Sequence, residues 1–232
     1  MRGALAEGVV PARSAGPAAE TVINAADLPR YYEGWILIAL NGDAVTTGAE
    51  VLIAGRGEHA VLFYQSEEEL AELVSGYLLQ AVHDDGVTMV LATADHHRAF
   101  EERLAAAGVD VATARARGSY LALDASETIR GFMVTDRPDP AAFWQAIDPP
   151  LRQAAEAGQP IRIFGELVSL LWDAGLASAA IEVELMWDEL RARYPFSLLC
   201  AYPAQSVSCA HHLDALTEVC RIHAEVIGGP HG

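Results

Sequence analysis

The stretch His59-Ala-Val-Leu-Phe-Tyr-Gln-Ser-Glu-Glu-Glu69 decides the fold of this chain. Its first six residues are apolar apart from His59, a pattern typical of a strand buried on both faces. Ser66 is a good helix N-cap and Glu69 completes a capping box, so a helix begins here. A strand, a short loop and a helix in this order predict the first unit of an α/β sheet.

The same alternation of strand and helix continues to about residue 202 and predicts a mainly parallel sheet. The predicted fold is three-layered, with helices on both faces of the sheet and an N-terminal β-rich extension. Ligands of such sheets gather at the carboxyl ends of the strands. We predict strands at about 60–64, 87–93, 109–112, 119–123, 160–164 and 196–202, with helices between them and a final helix at about 207–227; Pro149-Pro150 is expected to interrupt one helix.

Composition and chain breakers predict four segments. Residues 1–30 are rich in Ala, Gly and Pro and read as a flexible tail. Residues 31–56 contain the strand-like runs Trp35–Leu40 and Val51–Ala54 and form a β-hairpin-like extension. The main domain covers residues 57–227, and residues 228–232 form a short tail.

Charge and cysteine content limit the partners. The formal net charge of -17 disfavours binding to nucleic acid or to an anionic membrane. The odd number of cysteines (Cys200, Cys209 and Cys220) and the lack of a signal peptide predict a cytoplasmic protein without a disulfide framework.

The loop after the first strand lacks the chemistry of a phosphate-binding loop. That loop needs glycines, a lysine and a hydroxyl group, whereas residues 64–69 offer three carboxylates and no glycine or lysine. Glu67 to Glu69 suit the positive end of a helix dipole instead. The chain also has no nucleophile elbow, so we expect neither an NTPase nor another enzyme, and no cofactor.

Single residues near the strand ends leave alternatives open. Glu166 follows a buried strand and a glycine, so it faces the cleft or stabilises a helix dipole. Trp172 and Trp187 pack together or line an apolar pocket. Glu184 and Asp188, spaced i, i+4, are expected on a solvent face. His96 and His97 are expected at a solvated helix start capped by Asp95.

A metal site is the weaker interpretation of the last helix. Cys220-Arg-Ile-His223 has i, i+3 spacing, so this pair could share an ion with ligands from elsewhere. Cys209 lies about 16 Å from Cys220 along a continuous helix, too far for one zinc ion. Buried thiols on a packed helix face are the preferred explanation, and no metal is predicted.

Several stretches together resemble the MEDS domain of methanogen and methylotroph sensory proteins, including the dichloromethane-responsive repressor. The resemblance covers about residues 57–227 and is carried by His59–Tyr64 with the acidic residues after it, Ile161–Trp172, Glu184–Trp187, Pro195–Pro203 and Cys220–His223.

This resemblance implies a RecA-like fold, related to the circadian-clock ATPases but without a working phosphate loop. It also implies sensing of small hydrocarbon derivatives, in which His59, Cys200 and His223 take part, with Tyr64 and Glu166 from neighbouring motifs. Because no fused output domain is found in the sequence, the signal is expected to pass to a partner chain.

The leading hypothesis is therefore a non-catalytic cytoplasmic sensor of a small, mostly apolar molecule. Its expected partner is a signalling protein, a kinase or a transcription regulator, and a homodimer is left open. The alternatives are a metal- or Glu/His-dependent enzyme and a ligand-free interaction module. The predicted sensing residues are His59, Phe63, Tyr64, Glu166, Trp172, Trp187, Cys200, Tyr202 and His223.

Overall fold

The computed structural model describes residues 58–207 and 213–228. Strands are β1 (His59–Tyr64), β2 (Val87–Ala92), β3 (Tyr120–Asp124), β4 (Met133–Val134), β5 (Arg137–Pro138), β6 (Ile161–Gly165), β7 (Phe196–Pro203) and β8 (Glu225–Ile227). Helices are α1 (Glu67–His83), α2 (Ala94–Ala106), α3 (Val111–Arg117), α4 (Ala125–Phe132), α5 (Pro140–Glu156), α6 (Leu167–Asp173), α7 (Ala177–Arg191), α8 (Ala204–Val207) and α9 (Leu213–Ile222).

Side-chain caps fix where several helices begin. The Ser66 hydroxyl accepts a hydrogen bond from the backbone N–H of Glu69 at 3.2 Å, and the Glu69 carboxylate accepts one from the backbone of Gln65 at 2.7 Å. Asp124 and Asp139 cap α4 and α5 in the same way. Each cap satisfies backbone donors that have no partner within the helix, so these boundaries follow from local sequence.

The long strands form one parallel sheet. Among the described residues its order is β3-β2-β6-β7-β1-β8, and β4 and β5 form a separate antiparallel pair. Strands β1, β2 and β6 are buried along their whole length, as expected when helices cover both faces. The carboxyl ends of the strands meet at one edge, which brings the segments after Tyr64, Ala92 and Gly165 together.

Two hydrophobic cores lie on opposite faces of this sheet and confirm the predicted three-layer α/β fold. One core contains Val61, Cys200 and Tyr202 under helices α4 to α9, and the other contains Leu62, Tyr64 and Phe100 under α1 to α3. Successive residues of a strand point to opposite faces, so β1 and β7 contribute to both cores. His59 shares the face of Val61 and therefore points toward α7.

Several predicted elements are wrong. The strand predicted at 109–112 is the start of helix α3, because Asp110 caps it through the backbone N–H of Thr113 at 2.9 Å. The predicted final helix at 207–227 does not reach its predicted end: helix α9 stops at Ile222, and Glu225–Ile227 form the edge strand β8, which pairs with β1. Helix α5 continues through Pro149-Pro150 without interruption. Helix α2 begins after Thr93, which occupies the N-cap position without a side-chain capping bond, and Asp95 lies inside it.

The predicted tail at 1–30 and the hairpin-like extension at 31–56 lie outside the described residues, as do Cys209 and the last four residues. No helix in the described ranges is long and apolar enough to cross a membrane.

Candidate functional site

Four side chains from four separate elements meet in the core between the sheet and helix α7. They are His59 at the start of β1, Glu184 in α7, Cys200 in β7 and His223 directly after α9. We call these four residues the buried cluster. All four are buried, and one potential metal-ligand atom from each lies within 4.8 Å of those of the others.

One carboxylate oxygen of Glu184 is the centre of the buried cluster. Its Oε2 atom lies 3.2 Å from His59 Nε2, 3.2 Å from Cys200 Sγ and 3.5 Å from His223 Nε2. Cys200 Sγ also lies 3.5 Å from His59 Nε2, and the two imidazole centroids are 4.0 Å apart. A carboxylate, a thiol and two imidazoles therefore face one common point.

Outer hydrogen bonds orient these side chains. His59 Nδ1 lies 3.1 Å from Asp188 Oδ1, and the same oxygen accepts a bond from Arg191 Nη1 at 2.7 Å. The Tyr202 hydroxyl donates to Glu184 Oε1 at 2.9 Å. His223 Nδ1 lies 2.7 Å from the carbonyl oxygen of Val219. Because a carbonyl oxygen only accepts, this nitrogen carries a proton, and Nε2 is the ring nitrogen that faces Glu184.

Burial opposes every charge in the cluster, and the pKa shifts show which charges persist. Burial alone would raise the pKa of Glu184, but His223 and His59 outweigh it and hold that pKa well below its usual range. Burial also opposes protonation of His59, yet hydrogen bonds to Asp188 and Glu184 raise its pKa. Burial and the charge of Glu184 raise the pKa of the Cys200 thiol. With protons alone, these shifts favour an ionised carboxylate, a protonated His59 and a neutral thiol.

Aromatic side chains lie directly beside the buried cluster. The Tyr202 ring is 5.6 Å from that of Trp172 in an edge-on arrangement and 6.0 Å from that of Phe63. Trp172 donates its Nε1–H to the carbonyl oxygen of Ser206 at 3.1 Å. Tyr202 therefore connects the polar cluster to an aromatic group at the carboxyl end of β7.

A second polar group lies at the carboxyl edge of the sheet. His96 Nδ1 contacts Glu166 Oε2, and His96 Nε2 lies 2.6 Å from Glu67 Oε2. Glu166 also accepts a hydrogen bond from the backbone N–H of Thr93. We call Glu67, His96 and Glu166 the edge triad. It occupies the corner after β1, where the first helix of the sheet begins.

The edge triad favours a charged imidazole. Burial alone would lower the pKa of His96, but hydrogen bonds and charge from Glu166 and Glu67 raise it to about 9. Nearby Tyr64 is nearly buried, and burial with the charges of Glu67 and Glu166 raises its pKa. At neutral pH the edge triad is therefore a cation held between two carboxylates.

The structure divides the nine predicted sensing residues into three places. His59, Cys200 and His223 are in the buried cluster, with Tyr202, Phe63 and Trp172 beside it. Glu166 is in the edge triad and Tyr64 is close to it on the other face of the sheet. Trp187 packs edge-on against Phe143 at 5.2 Å and Phe196 at 6.1 Å, in a different part of the core.

Three expectations about single residues need correction. Glu184 is not on a solvent face but fully buried, because it lies on the apolar face that Ala180, Val183 and Trp187 define by their spacing. That spacing is the sequence signal that could have identified it. His96 is not at a freely solvated helix start, and its partner Glu166 is 70 residues away in the chain. His223 is grouped with His59, Glu184 and Cys200, whereas Cys220 is not one of the four.

An open surface depression of about 660 Å³ lies elsewhere, between α2, α3 and β3. Its lining includes His97, Arg98, Glu101, Arg115 and Asp124 and none of the nine predicted sensing residues. It is widely open to solvent and has several charged side chains in its lining, so it does not suit a small apolar ligand.

Comparison with known families shows that both groups of residues, the buried cluster and the edge triad, lie within one matched domain. A family model described as "MEDS: MEthanogen/methylotroph, DcmR Sensory domain" matches residues 58–224, which include the whole buried cluster and the whole edge triad. No curated protein matches the chain.

Proposed function

The chain belongs to the MEDS family and has a sensory role in signalling, and we propose that it senses a small, mostly apolar molecule at the buried cluster. The molecule contacts the aromatic side chains of Trp172, Tyr202 and Phe63 and presents one polar atom to the cluster. The domain acts without catalysis in the cytoplasm and passes its signal to a partner protein, a kinase or a transcription regulator.

The observation that supports this proposal is the full burial of four polar side chains from four separate elements. Buried charges are costly unless they are paired, and replacing such a group by apolar residues is often neutral or stabilising. A packed core does not need the buried cluster for its stability. A role in binding explains why this region combines a thiol, a carboxylate and two imidazoles with an aromatic wall.

Helix α7 offers a route from the buried cluster to the surface. It carries the fully buried Glu184 and, on the next residue, the exposed Leu185. One turn further, Asp188 joins buried His59 to the partly exposed Arg191. A ligand that changes the hydrogen bonds of Glu184 or His59 would therefore move a helix that a partner can contact.

Chemical features of both groups favour sensing over catalysis. Both nitrogens of His96 are engaged by carboxylates, so this imidazole has no free lone pair for general base catalysis. The raised pKa of Cys200 keeps it as a thiol, which is a weak nucleophile. These observations argue against the Glu/His-dependent enzyme considered from sequence.

Thermal unfolding and native mass spectrometry with a panel of small molecules test the proposal. The panel contains alcohols, ketones and halogenated alkanes of one to six carbons. At least one compound is expected to raise the melting temperature of the wild type and of Trp187→Phe, whose indole lies in another part of the core. The same compound is expected to have little effect on Trp172→Phe, which alters the aromatic wall.

Each melting temperature is compared with that of the same variant without the compound, so a loss of intrinsic stability does not obscure the result. Circular dichroism establishes that both variants are folded. The proposal fails if no panel member binds, or if Trp172→Phe responds as strongly as Trp187→Phe.

A further inference from the structure

We propose that the buried cluster binds one divalent transition-metal ion of the Zn²⁺ class, held by His59 Nε2, His223 Nε2, Cys200 Sγ and one carboxylate oxygen of Glu184. This inference deepens the proposed function and rests on it, because the ion would lie at the residues proposed to sense the small molecule. Its own evidence is the geometry and the chemistry of the four ligands.

The separations of the ligand atoms fit a tetrahedral ion. Zinc bonds of about 2.0–2.3 Å to nitrogen, oxygen and sulfur, arranged tetrahedrally, place the ligand atoms about 3.3–3.6 Å apart. The structure has 3.2 Å for His59 to Glu184, 3.2 Å for Cys200 to Glu184, 3.5 Å for His59 to Cys200 and 3.5 Å for His223 to Glu184. Two of these four values lie in the tetrahedral range and two lie just below it. The remaining two of the six separations, from His223 to His59 and to Cys200, are within 4.8 Å.

The outer hydrogen bonds are those that metal-binding side chains use. A metal-bound histidine donates its other ring N–H to a carboxylate or a backbone carbonyl, which fixes the tautomer and the ring orientation. His59 has Asp188 at Nδ1, and His223 has the carbonyl of Val219 at Nδ1. Tyr202 occupies the second oxygen of Glu184 and leaves Oε2 for the common point. Hydrogen bonds on the side away from the common point therefore orient His59, His223 and Glu184.

His223 supplies an independent observation. Its Nε2 atom is buried and has no hydrogen-bond partner among the described residues, although its side chain is fully shielded from solvent. Buried polar atoms without a partner are uncommon and need an explanation, of which an absent ion is one. This nitrogen faces Glu184 Oε2 at 3.5 Å, the oxygen on which the other ligands also converge.

A purely protonic cluster explains less of this arrangement. A protonated His59 would bond both Glu184 and Asp188, and this accounts for two of the four residues. It leaves His223 Nε2 at 3.5 Å from Glu184 Oε2 without a hydrogen bond of normal geometry. A dication with a thiolate and a carboxylate is electrically neutral, so the ion would balance the buried charge of Glu184 without a protonated imidazole.

The ligand types select the class of ion. Thiolate and imidazole together suit Zn²⁺ and related transition metals, whereas Mg²⁺ and Ca²⁺ prefer oxygen ligands. Four protein ligands close a tetrahedral site, while catalytic zinc sites keep one position for water. The expected ion is therefore a fixed part of the sensing centre and not a hydrolytic catalyst.

Metal analysis of the full chain, purified without a metal-affinity column, tests the inference. After incubation with Zn²⁺ and desalting, about one ion per chain is expected, in line with four ligands around one point. Co²⁺ is expected to bind in its place and give the intense absorption of a tetrahedral thiolate site. Neither measurement needs the small molecule.

Matched variants locate the ion. Cys200→Ser and His223→Gln are expected to lower the metal content at least tenfold, while Cys220→Ser keeps the wild-type content because Cys220 is outside the buried cluster. The Co²⁺ spectrum of the wild type does not depend on whether a variant folds.

A metal-free wild type, or Co²⁺ spectra without a thiolate band, overturns the inference. If the wild-type chain binds no metal but a panel compound raises its melting temperature, the metal site is contradicted and the proposed sensing function stands. If the chain binds the ion but no panel compound binds, the metal site stands and the proposed sensing function is contradicted.

Discussion

Tyr202→Phe tests whether the buried carboxylate depends on the hydrogen bond from the Tyr202 hydroxyl. The substitution removes the donor 2.9 Å from Glu184 Oε1 and keeps the ring that packs on Trp172 and Phe63. Glu184 is ionised in the folded protein because neighbouring imidazoles hold its pKa low. The variant therefore leaves one oxygen of a fully buried carboxylate without its donor.

The expected loss of stability in Tyr202→Phe follows from the negative charge of the acceptor, the Glu184 carboxylate. Hydrogen bonds to charged groups contribute about 1.5–3 kcal/mol, and a partner left unsatisfied in the core adds its desolvation penalty. We expect the free energy of unfolding to fall by about 2 kcal/mol, which is roughly a thirtyfold change in the equilibrium constant. With an m-value of about 2 kcal/mol/M, the urea midpoint shifts down by about 1 M.

Urea unfolding followed by circular dichroism measures this shift in the presence of a chelator. Tyr194→Phe is the matched control, since Tyr194 also donates to a carboxylate, that of Asp148 at 2.7 Å, but in a partly exposed position. Its loss is expected to cost less than about 1 kcal/mol, because water replaces the missing partner. Equal midpoints for the two variants would refute the reasoning about the buried carboxylate.

Three further predictions concern the edge triad and the fold. The raised pKa of His96 means that its ion pairs with Glu166 and Glu67 stabilise the fold fully below about pH 6.5, the unfolded pKa, and are lost as pH rises through about 9. The melting temperature of the wild type should therefore fall between pH 6.5 and 9.5, and His96→Gln should flatten that fall. An unchanged pH profile in His96→Gln would contradict the pairing. Gly76→Ala, at an exposed position in helix α1 with open space around the new methyl group, should raise the free energy of unfolding by about 0.5–1 kcal/mol. Gly86→Ala should lower it, because its new Cβ would lie 2.5 Å from a backbone oxygen; urea unfolding checks both signs, and changes of equal sign would contradict the packing around Gly86.

Local sequence was sufficient to predict most strands of the sheet and the loop between strand β1 and helix α1. The apolar run from Ala60 to Phe63 and the capping box at Ser66 act over a few residues, so strand β1 and helix α1 could be predicted. The segment 109–112 was misread as a strand because its alternating valines outweighed the capping residue Asp110, which begins helix α3.

Contacts between distant residues could not be predicted in the same way. His96 and Glu166 are 70 residues apart, and His59 and Cys200 are 141 apart. Nothing in the sequence around either histidine indicates its partner. The resemblance to a family implied sensing roles for His59, Cys200 and His223, but none for Glu184, the side chain that joins them, although Glu184 lies in one of the matching stretches.

Glu184 illustrates the physical reason for this failure. A glutamate is almost always exposed, and an i, i+4 pair with Asp188 normally lies on a solvent face. The apolar side of helix α7 packs on the sheet, and Glu184 is buried there because Ala180, Val183 and Trp187 lie on the same side of the helix. Only the position of α7 above β1 and β7 shows that two imidazoles and a thiol meet this carboxylate.

Hydrogen–deuterium exchange tests most directly the central claim that the domain responds at the buried cluster. Exchange is measured on the full chain with and without the panel compound that gives the largest thermal shift. The account predicts slower exchange in α7 and in the segment from His223 through β8, with little change in α2 on the opposite face of the sheet. Protection confined to α2 and α3, next to the polar surface depression, would contradict it.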